Sequence, residues 1–175
     1  MIAGEFRGRR LASPPTDANV RPTSDRAREA LFSILGDVGG LEVLDLFCGT
    51  AALGIEALSR GARHATLVDT DTRTALQNVE GLGLSARVKL VRSDAIRFLE
   101  RSTKQYELII CDPPWEEAEA LGPALVEVLP ARLARGGRLV VESAGRAPIA
   151  LDLIGCHLER ERRYGESLLR IWRNQ

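Results

Sequence analysis

The sequence predicts a doubly wound α/β fold, a mostly parallel sheet with helices on both faces that ends in an antiparallel hairpin. Three observations carry this. From residue 42 short apolar runs alternate with helically spaced patterns, as parallel strands joined by crossover helices require. Gly61, Gly83 and Gly136-Gly137 follow the helical patterns as stops. The final stretch, Cys156 to Arg163 and Ser167 to Arg173, alternates polar and apolar residues around Gly165-Glu166, which reads as a hairpin.

Taken in order, residues 1–12 read as a short β-hairpin, with Ile2, Phe6 and Leu11 apolar and Gly4 and Gly8 at bends. A Pro14-Pro15 loop follows. Thr23 or Ser24 then caps a helix whose apolar positions Ala27, Ala30, Leu31, Ile34 and Leu35 have helical spacing, and Gly36 stops it. Residues 1–36 are therefore an arm of hairpin plus helix, and residues 37–175 one catalytic-sized domain. Strands are expected at 42–47, 64–69, 86–91, 106–111 and 138–142, with helices at 52–60, 72–82, 94–101 and 117–134.

At 175 residues and 45% hydrophobic content the chain supports one full core and is not a disordered protein. No apolar run approaches the ~18 residues of a membrane span, and the first residues lack a signal-peptide core. A cytoplasmic location is expected, with no membrane and no obligate protein partner. Cys48, Cys111 and Cys156 show neither disulfide nor zinc spacing, and no metal is called for. His64 and His157 are isolated.

Net charge is zero but unevenly spread: residues 1–28 carry +3, residues 157–175 carry +2 and the span between them −5. Only Lys89 and Lys104 are lysines. Arginine makes bidentate phosphate contacts and stacks on bases. Basic ends on an acidic middle suit a small-molecule site flanked by nucleic-acid contacts; solvated charge on exposed termini is the plainer alternative.

The first strand ends Leu44-Asp45-Leu46-Phe47 and runs through Cys48-Gly49-Thr50-Ala51-Ala52-Leu53-Gly54 into a helix. A glycine turn there lets a ligand approach the backbone and the helix N-terminus. The second strand ends Val68-Asp69-Thr70-Asp71, where a carboxylate accepts from ribose hydroxyls. Ser93-Asp94-Ala95 follows the third, where an acid meets an adenine amino group. Asp71 also reads as a helix start and Asp94 as an N-cap. A dinucleotide is the immediate rival, since Gly49-x-Ala51-x-x-Gly54 is one residue short of that fingerprint. The Ala51 Cβ obstructs a pyrophosphate, whereas S-adenosylmethionine has none.

The fourth strand favours S-adenosylmethionine, although its Asp-Pro-Pro also reads as a turn that merely ends a strand. Ile109-Ile110-Cys111 ends abruptly in Asp112-Pro113-Pro114-Trp115, and the prolines force a stiff exit from the sheet. A carboxylate and the Pro113 carbonyl accept hydrogen bonds from one planar amino group while an indole stacks on its ring. A dehydrogenase has no task for such a motif; methylation of a nucleobase amine does.

With these residues in hand, the chain resembles the bacterial 16S ribosomal RNA guanine-N2 methyltransferase family of the RsmD type. The resemblance runs through Ile2-Ala3-Gly4-Glu5-Phe6-Arg7-Gly8-Arg9-Arg10-Leu11, Arg21-Pro22-Thr23-Ser24-Asp25-Arg26, Leu44 to Thr50, Leu53 to Ala62 and Asp112 to Trp115. It implies a Rossmann-like S-adenosylmethionine-dependent fold of seven strands in the order 3-2-1-4-5-7-6, and methylation of one guanine of 16S rRNA, in small-subunit assembly intermediates or 30S particles. Asp45, Phe47, Gly49, Thr50, Asp69, Asp71, Asp94 and Ala95 would then hold the cofactor: Asp45 and Gly49 the methionine end, Asp69 the ribose, Asp94 the adenine. Asp112, Pro113, Pro114 and Trp115 would hold the base, and Arg7, Arg9, Arg10, Arg21 and Arg26 the RNA. The chain departs from the family at Ala51, usually glycine, at Asp69, often glutamate, and at Trp115, usually phenylalanine or tyrosine. DNA-adenine or protein-glutamine methylation shares the fourth-strand motif but leaves the Arg-rich arm unexplained, adenine-N6 methylation of another nucleobase is the alternative within the same chemistry, and a catalytically weak RNA-binding assembly factor shares the fold.

Overall fold

The computed structural model describes residues 1–13 and 25–175, with the side chains of Asp25 and Arg26 excepted. Arg21, the Pro14-Pro15 loop and the Thr23 or Ser24 cap lie outside the described residues, as does the Arg26 side chain.

Alternating apolar runs become β1 (Glu42–Leu46), β2 (His64–Asp69), β3 (Val88–Arg92), β4 (Tyr106–Cys111), β5 (Leu133–Ala144), β6 (Cys156–Tyr164) and β7 (Ser167–Asn174). They form one sheet in the order β3-β2-β1-β4-β5-β7-β6. Pairing is parallel from β3 to β5 and antiparallel for β5–β7 and β7–β6. The helices are α1 (Asp25–Leu35), α2 (Ala52–Ser59), α3 (Arg73–Gly81), α4 (Ala95–Arg101) and α5 (Ala118–Val128).

Because successive strand residues face opposite ways, each strand feeds two cores. Val43, Leu67 and Ile110 meet Leu31, Phe32, Ile55, Leu58 and Val79 of α1 to α3 on one face. Leu44, Leu46, Val68 and Ile109 meet Ala95, Leu99, Ala118 and Leu125 of α4 and α5 on the other. Strand order reverses between β1 and β4, and in open α/β sheets ligands bind beyond the carboxyl ends of the strands at this switch.

Two expectations need correction. Residues 1–12 contain turns and no strand. Four of their N–H groups are drawn away from any hairpin ladder: Ile2 N and Ala3 N donate to the Glu56 carboxylate (2.9 and 3.0 Å), Glu5 N to Ser59 O (2.8 Å) and Phe6 N to Ser59 Oγ (2.9 Å). The helix expected over 117–134 ends at Val128, and a 3-10 turn at Pro130–Arg132 leads into a β5 that begins at Leu133. Gly136-Gly137 is accordingly no helix stop. It lies within β5, where the pairing with β4 shifts register between Tyr106–Leu133 and Leu108–Arg138. Gly136 sits at φ 73°, and a Cβ on Gly137 would lie 2.8 Å from Ala134 O.

Candidate active site at the strand carboxyl ends

Beyond β1 the chain makes a tight turn in which Phe47 (φ 60°), Gly49 (φ 52°) and Ala51 (φ 64°) all take left-handed backbone. Two carboxylates fix it. Asp45 Oδ2 accepts from Gly54 N (2.8 Å) and Asp69 Oδ2 from Gly49 N (2.8 Å). Nothing lies within 4 Å of a Cβ built on Gly49, so the turn has open space above it. Ala51 is fully buried and starts α2. Its Cβ therefore packs into the core, so the obstruction of a pyrophosphate expected from sequence is not what the fold shows: the side chain faces inward, on a left-handed backbone that costs roughly 1–2 kcal/mol.

Gly54 is forced by closeness: a Cβ there would meet Leu67 Cδ2 at 2.3 Å and Asp45 Oδ2 at 3.0 Å. Asp45 is itself buried. Burial pushes its carboxyl up from 3.8 to about 7, the Gly54 N–H works against this, and the charges of Asp112 and Asp69 add to it. Burial likewise pushes the Cys48 and Cys111 thiols far above their usual range, so neither is a thiolate nucleophile.

The remaining acids divide. Asp69 ends β2, its second oxygen accepting from Asp71 N (3.0 Å). Asp71 is exposed and turned to Arg73 (2.6 Å), whose hydrogen bond holds its carboxyl below the usual range; its observed contacts are those of a helix start. Asp94 caps α4 by accepting from Arg97 N (2.9 Å) and remains exposed beside buried Ala95. Thr50 O accepts from Asn78 Nδ2 (2.9 Å).

On β4, Cys111 pairs with Leu46, so Asp112 emerges beside the end of β1. Pro113 is buried, and Glu117 N closes a turn onto Pro114 O (3.0 Å) that carries Trp115. Trp115 lines a cavity of about 160 Å³ together with Ala144, Arg146, Arg163, Gly165 and Glu166.

Residues 1–173 match the family described as Conserved hypothetical protein 95. The chain belongs to this family. Ribosomal RNA small subunit methyltransferase D of Escherichia coli is 38% identical over 118 residues, 66% of this chain and 59% of that protein. Its namesake in Haemophilus influenzae is 34% identical over 122 residues, covering 66% and 63%. The aligned part thus spans about three fifths of these relatives. A solved structure of Escherichia coli yhhF, described as a candidate methyltransferase, superposes with TM-score 0.85 at 31% identity, over 100% of this chain and 97% of that one. The fold is that of S-adenosylmethionine-dependent methyltransferases, with the antiparallel end expected from sequence.

Within this family member, strand-end residues from β1, β2, β3 and β4 come together, but among the described arm arginines Arg7, Arg9 and Arg10 do not join them. Arg7, Arg9 and Arg10 are exposed on a segment clasped at the far ends of α2 and α3, where Arg9 Nη2 donates to Gly81 O (3.4 Å). Sequence reasoning missed the clasp itself. Buried Glu56 and Ser59 bind residues 2–6, Arg87 pairs with Glu5 (3.0 Å), and Asn78 bonds both Ala12 and Thr50. The signal was present as a carboxylate inside the apolar run Leu53-Gly54-Ile55-Glu56-Ala57-Leu58. Arg146, Arg163 and Glu166 were missed because two glycine turns far apart in sequence, at Gly145 and Gly165, meet only in the folded sheet.

Proposed function

We propose that this chain transfers a methyl group from S-adenosylmethionine to the N2 amine of a guanine in 16S rRNA, acting in the cytoplasm on small-subunit assembly intermediates or 30S particles. The single observation that carries this reading is the Asp112-Pro113-Pro114-Trp115 exit from β4, which stands beside the Asp45–Gly49 turn at the switch point of the sheet. The names of the relatives support the substrate class.

The residues fit the cofactor. Open space above Gly49 admits a ligand to the turn. Asp45 near the end of β1, Asp69 at the end of β2 and Asp94 just beyond β3 lie in the spatial order of those strands, giving an acid row for the methionine end, ribose and adenine in turn. When bound, S-adenosylmethionine supplies an electrophilic methyl group on a cationic sulfur.

Asp112 and the Pro113 carbonyl do the rest of the positioning. An exocyclic guanine amine is a poor nucleophile because its lone pair is delocalised into the ring. By accepting both N–H protons the two oxygens favour a pyramidal nitrogen and hold its lone pair in line, so that orientation supplies much of the barrier reduction. Trp115 stacks on the exposed base, worth ~1–3 kcal/mol against the cost of extruding it. Arg7, Arg9, Arg10, Arg21 and Arg26 serve as phosphate contacts.

The test is mass mapping of ribosomal RNA from cells with and without the gene, followed by transfer of labelled methyl to 30S particles. One guanine losing its N2 methyl, restored by the purified protein, is expected. An unchanged rRNA map, or a lost methyl on adenine, would overturn the reading.

A further inference from the structure

We propose that Arg163 reads the target base, selecting guanine through its O6 and N7 acceptors; this rests on the guanine-N2 reading above. The hairpin turn Gly165-Glu166 joins β6 to β7 at the same edge of the sheet as the exit from β4, since β7 runs antiparallel to β5 and pairs Ser167 with Ala144. Gly145 N donates to Glu166 O (2.6 Å), which fastens the hairpin tip to the end of β5. The two turns and Trp115 line the 160 Å³ cavity, which is open to solvent. That is smaller than the ~300–1,000 Å³ of clefts for drug-sized ligands and suits one base rather than a nucleotide.

Arg163 is held in this wall. Its Nη2 donates to Gly145 O (2.9 Å), and the guanidinium carbon and Nη1 lie 3.0 Å from where a Gly145 Cβ would be. The guanidinium thus packs against Gly145, where an added Cβ would push it aside. One of its five N–H donors is engaged there, and the exposed group lines the cavity beside the indole.

Orientation of the base follows from which residues line the cavity. Asp112 does not line it while Trp115 does, so a base whose amine meets Asp112 stacks on Trp115 with its other end in the cavity. For guanine held by N2, that other end carries O6 and N7, the acceptor pair that arginine bonds bidentately. For adenine held by N6, no such pair is presented. Arg163 therefore confers a preference that the Asp-Pro-Pro-Trp motif alone lacks.

The experiment uses the full chain and rRNA ligated to carry either guanine or 2,6-diaminopurine at the mapped position. Diaminopurine keeps the N2 amine and replaces O6 by an N6 amine, a donor set against the guanidinium donors. The wild type should methylate guanine about tenfold to hundredfold better than diaminopurine. Arg163→Met should lose that ratio by slowing only guanine transfer, with calorimetric S-adenosylmethionine binding unchanged. Gly145→Ala keeps the charge but displaces the guanidinium, and should lower the ratio in the same sense. Guanine methylation with the ratio intact in both variants would overturn the assignment of Arg163 alone. Failure of the wild type to methylate any small-subunit guanine would overturn the guanine-N2 reading and this assignment with it.

Discussion

Asp45 should make the ligand-free protein less stable as pH rises through neutrality. Its carboxyl is pushed up from 3.8 to about 7 by burial first and by neighbouring Asp112 and Asp69 next. The folded state therefore holds a proton that the unfolded chain releases near 3.8. For a raised pKa the associated stability is complete below the unfolded value and is lost as pH climbs to the folded one. Over the whole window the 3-unit difference amounts to about 4 kcal/mol at ~1.4 kcal/mol per unit, and between pH 5 and 8.5 to about 2–3 kcal/mol. Asp45→Asn keeps the size and an acceptor for Gly54 N–H while removing the titration. Urea unfolding at both pH values should show the wild type losing this amount relative to the variant. Cofactor binding near neutral pH should also release a proton, because the cationic amino group of the methionine end favours the carboxylate; calorimetry in buffers of different ionisation enthalpy measures it. Parallel pH curves for wild type and Asp45→Asn would refute the reasoning.

Asp112→Ala should abolish methyl transfer and leave cofactor affinity within about twofold, whereas Trp115→Phe should keep most activity and Trp115→Ala little; equal activity of the two Trp115 variants would make the indole structural. Gly4→Ala should cost about 2–4 kcal/mol in thermal or urea unfolding, because its Cβ would stand 1.7 Å from Ser59 O at φ 76°. Asn78→Ala removes three backbone hydrogen bonds, about 1 kcal/mol each, and should weaken cofactor binding as well because one of them holds Thr50. Neutralising Arg7, Arg9 or Arg10 should make the log-affinity versus log-salt slope for RNA shallower by ~0.7–0.9 for each phosphate that the arm ceases to neutralise; unchanged slopes would assign those residues to solvent alone.

Where a local pattern sets the structure, the sequence was legible. Strand β2 falls on 64–69 and β4 on 106–111 as expected, because a short apolar run bounded by polar residues and a glycine or proline has few alternatives. The acids at or just beyond the carboxyl ends of β1 to β4 were legible for the same reason. What escaped were partners distant in sequence. Nothing in Ile2-Ala3-Gly4-Glu5-Phe6 says that a buried Glu56 will take its N–H groups, and that capture, rather than strand propensity, set the arm's shape. The end of α5 escaped because the helical pattern runs on past Pro130 to 134, whereas the proline opens a new turn. The hairpin is legible, but that its tip forms a wall of the Trp115 cavity depends on β7 lying next to β5, a matter of tertiary pairing.

That pairing has a consequence for the order of assembly. β7 follows β6 along the chain yet lies between β5 and β6 in the sheet, so β6 has no edge to join until β7 exists. The cofactor half, β1 to β4, is built from contiguous chain between Glu42 and Cys111 and needs nothing downstream for its own pairings. A chain interrupted before Ser167 would therefore carry the acid row and lack the wall opposite Trp115. Hydrogen exchange should reveal this hierarchy as β6 amides that open together with β7 while β1 and β2 stay protected. The wall opposite Trp115 is thus completed by an interior strand that arrives late, and the same strand brings Leu169, Ile171 and Trp172 to the two cores, so closing that wall and finishing the core are one event.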